Sequence, residues 1–206
     1  NPERPSSTLP ATLISGMIEN GSQTYIGSNR GLYRNQAGSN EVELITLLPR
    51  KASSAIKTMQ VADGYLWLGG NDGMWQVAFG AQGIAADASA TRAAFSDQLS
   101  DQRIVSFAID QQKRLWIGTW NGLNIVDPAS GKVEKILPDA KRTDGLAQSF
   151  ISTLLVDRRG RIWVGTSGGG VHLWQGHNSQ GQAAFRRFDS SNGMPNQIIN
   201  QILQDK

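Results

Sequence analysis

One phrase occurs four times in this chain, and that repetition restricts the fold more than any other feature. It reads Thr24-Tyr25-Ile26-Gly27-Ser28, then Leu66-Trp67-Leu68-Gly69-Gly70, then Leu115-Trp116-Ile117-Gly118-Thr119, then Ile162-Trp163-Val164-Gly165-Thr166. The aromatic residues Tyr25, Trp67, Trp116 and Trp163 stand 42, 49 and 47 residues apart. A period of about 40–50 residues with a strand-turn-strand signature is that of propeller blades, each a small sheet that buries its faces only against its neighbours. The unbroken apolar triplets around each Trp fit strands covered on both faces, where a half-exposed strand would alternate.

A second element precedes each phrase. Ile104 to Asp110 leads into Trp116, and Ile151 to Asp157 leads into Trp163, with Asp six residues before Trp in both. A further copy, Ile199 to Asp205, begins a fifth repeat. The fourth repeat divides into an inner strand (Ile151 to Val156), a second strand (Arg161 to Gly165), a third (Val171 to Trp174) and an outer strand near Ala183 to Phe188. Asp110 and Asp157 are expected to start the turn between strands one and two, where a carboxylate accepts backbone N–H groups. Gly31, Gly73 and Gly122 are expected to supply positive φ in the next hairpin turn. Gly118 and Gly165 should end their strands where the backbone turns or crowds a neighbour. The stretch from Ala81 to Arg92 is either helical or a surface excursion. The expected fold is therefore all-β. It is a β-propeller fragment of four four-stranded blades plus one extra inner strand, spanning residues 1–206 as one domain.

Composition narrows the chemistry. The 206 residues include no cysteine, so a disulfide framework, a thiol nucleophile and a thiolate metal site are excluded. His172 and His177 are the only histidines, too few for a histidine-rich metal cluster. His172 follows Val171 on a strand and reads as a hydrogen-bonded structural residue; His177 reads as part of a loop. No metal and no cofactor are expected. Twenty basic and 17 acidic residues leave a net charge of +3. The basic pairs have Asp139, Asp157 and Asp189 beside them, so no phosphate-tracking stripe exists and no nucleic-acid partner is expected. The glycine run Gly165 to Gly170 lacks the Lys-Ser/Thr of a phosphate loop. Asn20-Gly21-Ser22 is a formal glycosylation triplet but reads as a turn. No apolar run reaches membrane-span length. The opening Asn-Pro-Glu-Arg-Pro is neither a Met start nor a signal peptide, which suggests an excised piece of a longer protein.

Asp157-Arg158-Arg159-Gly160-Arg161-Ile162-Trp163-Val164-Gly165-Thr166, with the lead-in Thr143-Asp144-Gly145-Leu146, resembles the two-component regulator propeller repeat. Asp110 to Thr119 matches too, but has Lys113 where that repeat has Gly. Copies one and two are degenerate: Tyr25 replaces Trp, and Ser28 and Gly70 replace Thr. The resemblance implies an extracytoplasmic, periplasmic sensor propeller, not itself catalytic. The parent would be a bacterial membrane signalling protein with a histidine kinase or diguanylate cyclase output. It also implies an unknown small ligand, with carbohydrate fragments as one class, and membrane attachment only through segments downstream. A streptogramin-lyase-like enzyme and a pure protein-interaction scaffold are the alternatives.

Trp67, Trp116 and Trp163 are expected in the core between blades. Trp120 differs, because it falls in a turn where the other copies carry Asn29, Asn71 or Ser167; an aromatic there is exposed unless a loop or ligand covers it. That turn and the loop before each inner strand open on the same end of a propeller. The polar candidates at this end are Arg30, Asp72, Asn121, Arg103 and Asn196. Exposed terminal blades suggest a homodimer as one way of covering their apolar faces.

Overall fold

The structure, a computed structural model, describes residues 12–49, 52, 54–139 and 141–205. The opening Asn-Pro-Glu-Arg-Pro run and Lys206 lie outside these residues. Among the described residues sixteen strands form four antiparallel sheets, each a meander in chain order. The first contains β1 (Ile14–Asn20), β2 (Gln23–Ser28), β3 (Gly31–Gln36) and β4 (Val42–Ile45). The second contains β5 (Ile56–Ala62), β6 (Tyr65–Gly70), β7 (Gly73–Ala78) and the two-residue β8 (Thr91–Arg92). The third runs through β9 (Ile104–Ile109), β10 (Leu115–Thr119), β11 (Gly122–Asp127) and β12 (Lys132–Ile136). The fourth comprises β13 (Ile151–Val156), β14 (Ile162–Thr166), β15 (Val171–His177) and β16 (Ala183–Phe188). This is the all-β, four-bladed propeller fragment that the repeats predict. The chain divides into two compact units, Asn1–Ala93 and Ala94–Lys206, each holding two blades.

Each unit has its own core, built around the repeat aromatics. In the first, Tyr25 is fully buried with Leu66, Leu68 and Val77, and meets Phe79 edge-on at 5.2 Å. In the second, Trp116 is fully buried and meets Trp174 of the fourth blade edge-on at 5.1 Å. Trp67 is buried as well; Trp163, on the open face of the fourth blade, is half-buried. The glycine of the phrase is what lets blades approach. A Cβ on Gly118 would stand 2.3 Å from Ser106 Oγ in its own sheet and 2.6 Å from Ile151 Cγ2 of the next blade. A Cβ on Gly165 would likewise stand 2.5 Å from Thr153 Cγ2 and 2.8 Å from Ile199 Cγ2. The rule is therefore that the Ile opening one repeat seats on the glycine of the repeat before.

The turns between first and second strands explain the Asp-to-Trp spacing. Asp157 Oδ1 accepts from the backbone N–H of Arg159 and Arg161, both at 2.9 Å. Its Oδ2 accepts from Arg161 Nε at 2.6 Å and from the Trp163 indole at 3.0 Å. Asp110 makes the same four bonds, to Gln112, Arg114 (twice) and Trp116. One buried carboxylate thus closes the turn and holds the core Trp six residues on. Burial pushes the Asp157 carboxyl up, but donors from Trp163 and Arg161 outweigh it and hold it far below the usual carboxylate range. The first two blades need no such clasp, because their turns are two-residue hairpins. Asp63 and Gly64 both take positive φ, at 50° and 79°, as a type I′ turn requires. Asn20-Gly21-Ser22 is the turn from β1 to β2, as expected, and the Asn20 amide donates to Gly80 and Ala81 carbonyls.

Two details differ from expectation, and a third decides between two readings: Ala81 to Arg92 contains no helix. It is an excursion whose Ile84 and Ala90 are buried, with Ile84 N donating to Tyr25 Oη at 2.9 Å and Ala90 N to Leu47 O at 3.0 Å. Tyr25, which replaces Trp in the first copy, supplies the hydroxyl that anchors this excursion of the second blade. Residues 199–205 lie along the fourth blade but form no strand. Ser167 bridges Ile198, and Ile199 N donates to Thr166 O, yet among the described residues no second strand offers a ladder. His177 ends β15 instead of lying in a loop; it bonds Glu134 of β12 at 2.8 Å.

Candidate functional site

The turn between second and third strands is built around the last residue of the repeat phrase. Thr119 Oγ1 donates to Gly122 O at 2.8 Å and accepts from Asn121 N at 3.1 Å. Thr166 repeats this with Gly170 and Gly169, and Ser28 with Gly31 and Arg30. The serine in the first copy therefore preserves the function of the threonine. Gly122 sits at φ +114°, and a Cβ there would meet Ile136 O at 2.8 Å.

The loop leading into each inner strand packs on these turns. Trp120 N donates to Arg103 O of its own blade at 3.2 Å, and Gly122 N to Ser149 O of the next at 2.7 Å. Trp120 thus projects where two lead-in loops meet. Its side chain remains 49 % exposed. Arg103 Cζ lies 4.4 Å from its ring centroid and the Phe150 ring 5.4 Å away at 58°. Arg103 is held flat by Asp101, with Nε to Oδ1 at 2.9 Å and Nη2 to Oδ2 at 2.5 Å. That hydrogen bond keeps the Asp101 carboxyl below its ordinary range and raises Arg103. The result is a partly bare aromatic surface beside a fixed guanidinium, suited to stacking on a flat apolar face while donating to an adjacent oxygen.

The structure brings Arg103 and Trp120 into contact and places exposed Asn121 next to them. Asn196 is exposed in the lead-in loop of residues 193–198, where its Oδ1 accepts from Ile198 N at 2.9 Å. Arg30 and Asp72 belong to the first unit. Arg30 is exposed at the rim of an apolar cleft of about 370 Å³ lined by Leu32, Leu44 and Leu47. Asp72 is half-buried, and its carbonyl accepts from Arg92 Nε at 3.2 Å. Phe150 and Asp101 are the site residues that sequence reasoning missed. Asp101 was legible in principle, since an acid two residues before Arg103 in the same lead-in loop can reach it. Among the described residues, no group of three or more His, Asp or Glu side chains could hold a metal ion.

A second missed group secures the lead-in loops themselves. Asn124 of β11 is fully buried; its Oδ1 accepts from Ser100 N at 2.9 Å, and its amide donates to Ser100 Oγ and Ile117 O. His172 holds the equivalent position on β15, pairing with Val164 as Asn124 pairs with Ile117. It is also fully buried, and its Nε2 accepts from Ala147 N at 3.1 Å. The structural role expected of His172 is thereby found, and its partner identified.

Comparison with known proteins gives the repeats a family. The family model described as two component regulator propeller matches residues 98–121 and 145–168. Those are the lead-in, inner strand and repeat phrase of the third and fourth blades, the two that carry the Asp clasp. These two segments of the chain are thus similar to the two component regulator propeller repeat. No curated protein sequence matches it significantly. Among solved structures it is similar to the extracellular domain of a hybrid two component system, BT3049 of B. thetaiotaomicron, with 25% identity and a TM-score of 0.68. A second such domain, of BT4673, has 20% identity and a TM-score of 0.67. Each alignment covers 96% of this chain and 25% of the other, so the chain spans a quarter of the length of those domains. Virginiamycin B lyase of Staphylococcus aureus shares the fold at 10% identity and a TM-score of 0.61, over 90% of this chain and 59% of the lyase.

Proposed function

We propose that this chain is part of an extracytoplasmic sensor propeller of a bacterial membrane signalling protein, and that it binds a small ligand without transforming it. The observation that carries the reading is Trp120: a tryptophan half bare to solvent, flanked by Arg103 and Phe150, on a turn where the other repeats place small polar residues. An exposed aromatic held rigidly by its neighbours costs solubility and contributes nothing to the core, so a partner is its simplest rationale. The proposed ligand class is a short oligosaccharide, whose sugar faces stack on indole and whose hydroxyls accept from Arg103 and Asn121. Asn196 in the same unit is proposed as a further polar contact, and Arg30 and Asp72 as separate polar contact points within the first unit. Catalysis is not proposed, because both histidines serve within the sheets: His172 holds a loop and His177 pairs with Glu134.

Titration calorimetry with a panel of neutral and uronic di- to hexasaccharides tests this. Binding by at least one, weakened tenfold or more by Trp120→Ala, is the expected result. Absence of binding across the panel, or binding that Trp120→Ala leaves unchanged, overturns the ligand reading. A homodimer through the exposed terminal blades is proposed as well. Sedimentation at high concentration should show it, and a monomer throughout overturns it.

A further inference from the structure

The loop of residues 142–150 links the fourth blade to the turn that carries Trp120. On one side it is tied to the fourth blade. Arg187 donates to Gly145 O and Arg142 O, both at 2.8 Å; Phe185 N donates to Asp144 O at 2.7 Å; and Leu146 is buried in the core. On the other side, Ser149 O accepts from Gly122 N and the Phe150 ring packs on Trp120. Between these lies the bond from Ala147 N to His172 Nε2. The third blade makes the equivalent bond from Ser100 N to Asn124 Oδ1. Two blades therefore use one device, a buried acceptor on the third strand that latches the lead-in loop. In one blade the acceptor cannot titrate; in the other it can.

We propose that His172 is a proton-sensitive latch on the 142–150 loop, through which acidification loosens the Ser149 and Phe150 supports of the Trp120 site. With Nε2 accepting, the neutral ring carries its proton on Nδ1, which is buried without a partner. A second proton must go to Nε2, and there it removes the lone pair that holds Ala147 N. The groups facing the ring are Arg187 and Phe185 of β16, the backbone of Val164 in β14 and of Gly170, and Asp189 beyond β16. Burial, reinforced by the Arg187 charge, pushes the imidazole down to about 4 from 6.5; Val164, Gly170 and Asp189 oppose this but do not prevail. Opening the loop returns the ring toward its ordinary value. The ratio of open to latched loop should therefore rise by a factor on the order of 10² between pH 6.5 and pH 4.

Nuclear magnetic resonance on the whole chain tests this without any ligand, so its outcome is separate from that of the oligosaccharide reading. The Ala147 amide should lose protection, after correction for intrinsic exchange, as pH falls through this window. The Trp120 indole signal should move with the same midpoint. His172→Asn, which transplants the acceptor of the third blade, should keep the fold and flatten both curves. Unchanged signals down to pH 4, or the same curves in His172→Asn, overturn the latch. So does a Trp120 shift that vanishes in Asp101→Asn but persists in His172→Asn, since the carboxylate would then be its source. Should His172→Asn not fold, the ring resonances of His172 in the unaltered chain decide. Their midpoint must coincide with that of Ala147, and a mismatch rejects the proposal.

Discussion

Asp157 and Asp110 show how much a single side chain does in these repeats. Each carboxylate accepts four hydrogen bonds, two from its own turn and two from the Arg and Trp that follow, while almost wholly shielded from water. Replacing Asp157 by Asn keeps the shape but sets an amide donor against the Trp163 and Arg161 donors. A loss of about 3 kcal/mol in denaturant unfolding is expected, against a small effect at exposed Asp87. The same turn holds one residue in a poor conformation. Lys113 has φ +64° where the fourth blade places Gly160 at +74°. Lys113→Gly should stabilise the protein by about 1 kcal/mol in the same assay, since a Cβ is disfavoured in that region.

At the scale of the element, blade stacking depends on a glycine in the second strand and an isoleucine opening the next repeat. Gly118→Ala would drive a methyl against Ser106 Oγ and Ile151 Cγ2, and Ile151 is fully buried. A destabilisation of about 3 kcal/mol is expected, because a packed core yields little to added volume. Gly16→Ala is the control. Its Cβ would have only Met59 Cγ within 4 Å, at 3.9 Å, and the melting temperature should barely move. Were both variants equally destabilised, stacking would not be the reason for the glycine that recurs in all four copies of the phrase.

For the molecule as a whole, His172 makes stability depend on acidity in a definite direction. Its folded-state value is depressed, so the native state resists a proton that the unfolded chain accepts. The sign follows: stability is complete above pH 6.5 and falls as pH drops toward 4, by about 3 kcal/mol at most. Urea unfolding at pH 7, 5.5 and 4.5 should show this slope, and His172→Asn should flatten the part that the imidazole contributes. Carboxylates such as Asp101 and Asp157 also sit below their ordinary range, but their contribution is lost only at lower pH, below about 4.

Much of this molecule is legible in one dimension. The recurrence of Tyr25, Trp67, Trp116 and Trp163 establishes four blades, and the apolar triplets establish doubly covered strands. Period and burial are properties of short segments, so they survive in the sequence. Trp120 stands out there too, because it breaks the pattern of its own turn. What only the tertiary structure decided are the pairings between segments: Arg103 over Trp120, Phe150 from the following blade, and the Asn124 and His172 latches on loops some 25 residues earlier. Neither Asn124 nor His172 carries a recognisable signal, since a polar residue in an apolar strand reads only as an interruption. Its meaning comes from the backbone N–H that the lead-in loop, folded back on its own blade, brings opposite it, because a buried donor needs an acceptor and packing alone determines which one it meets.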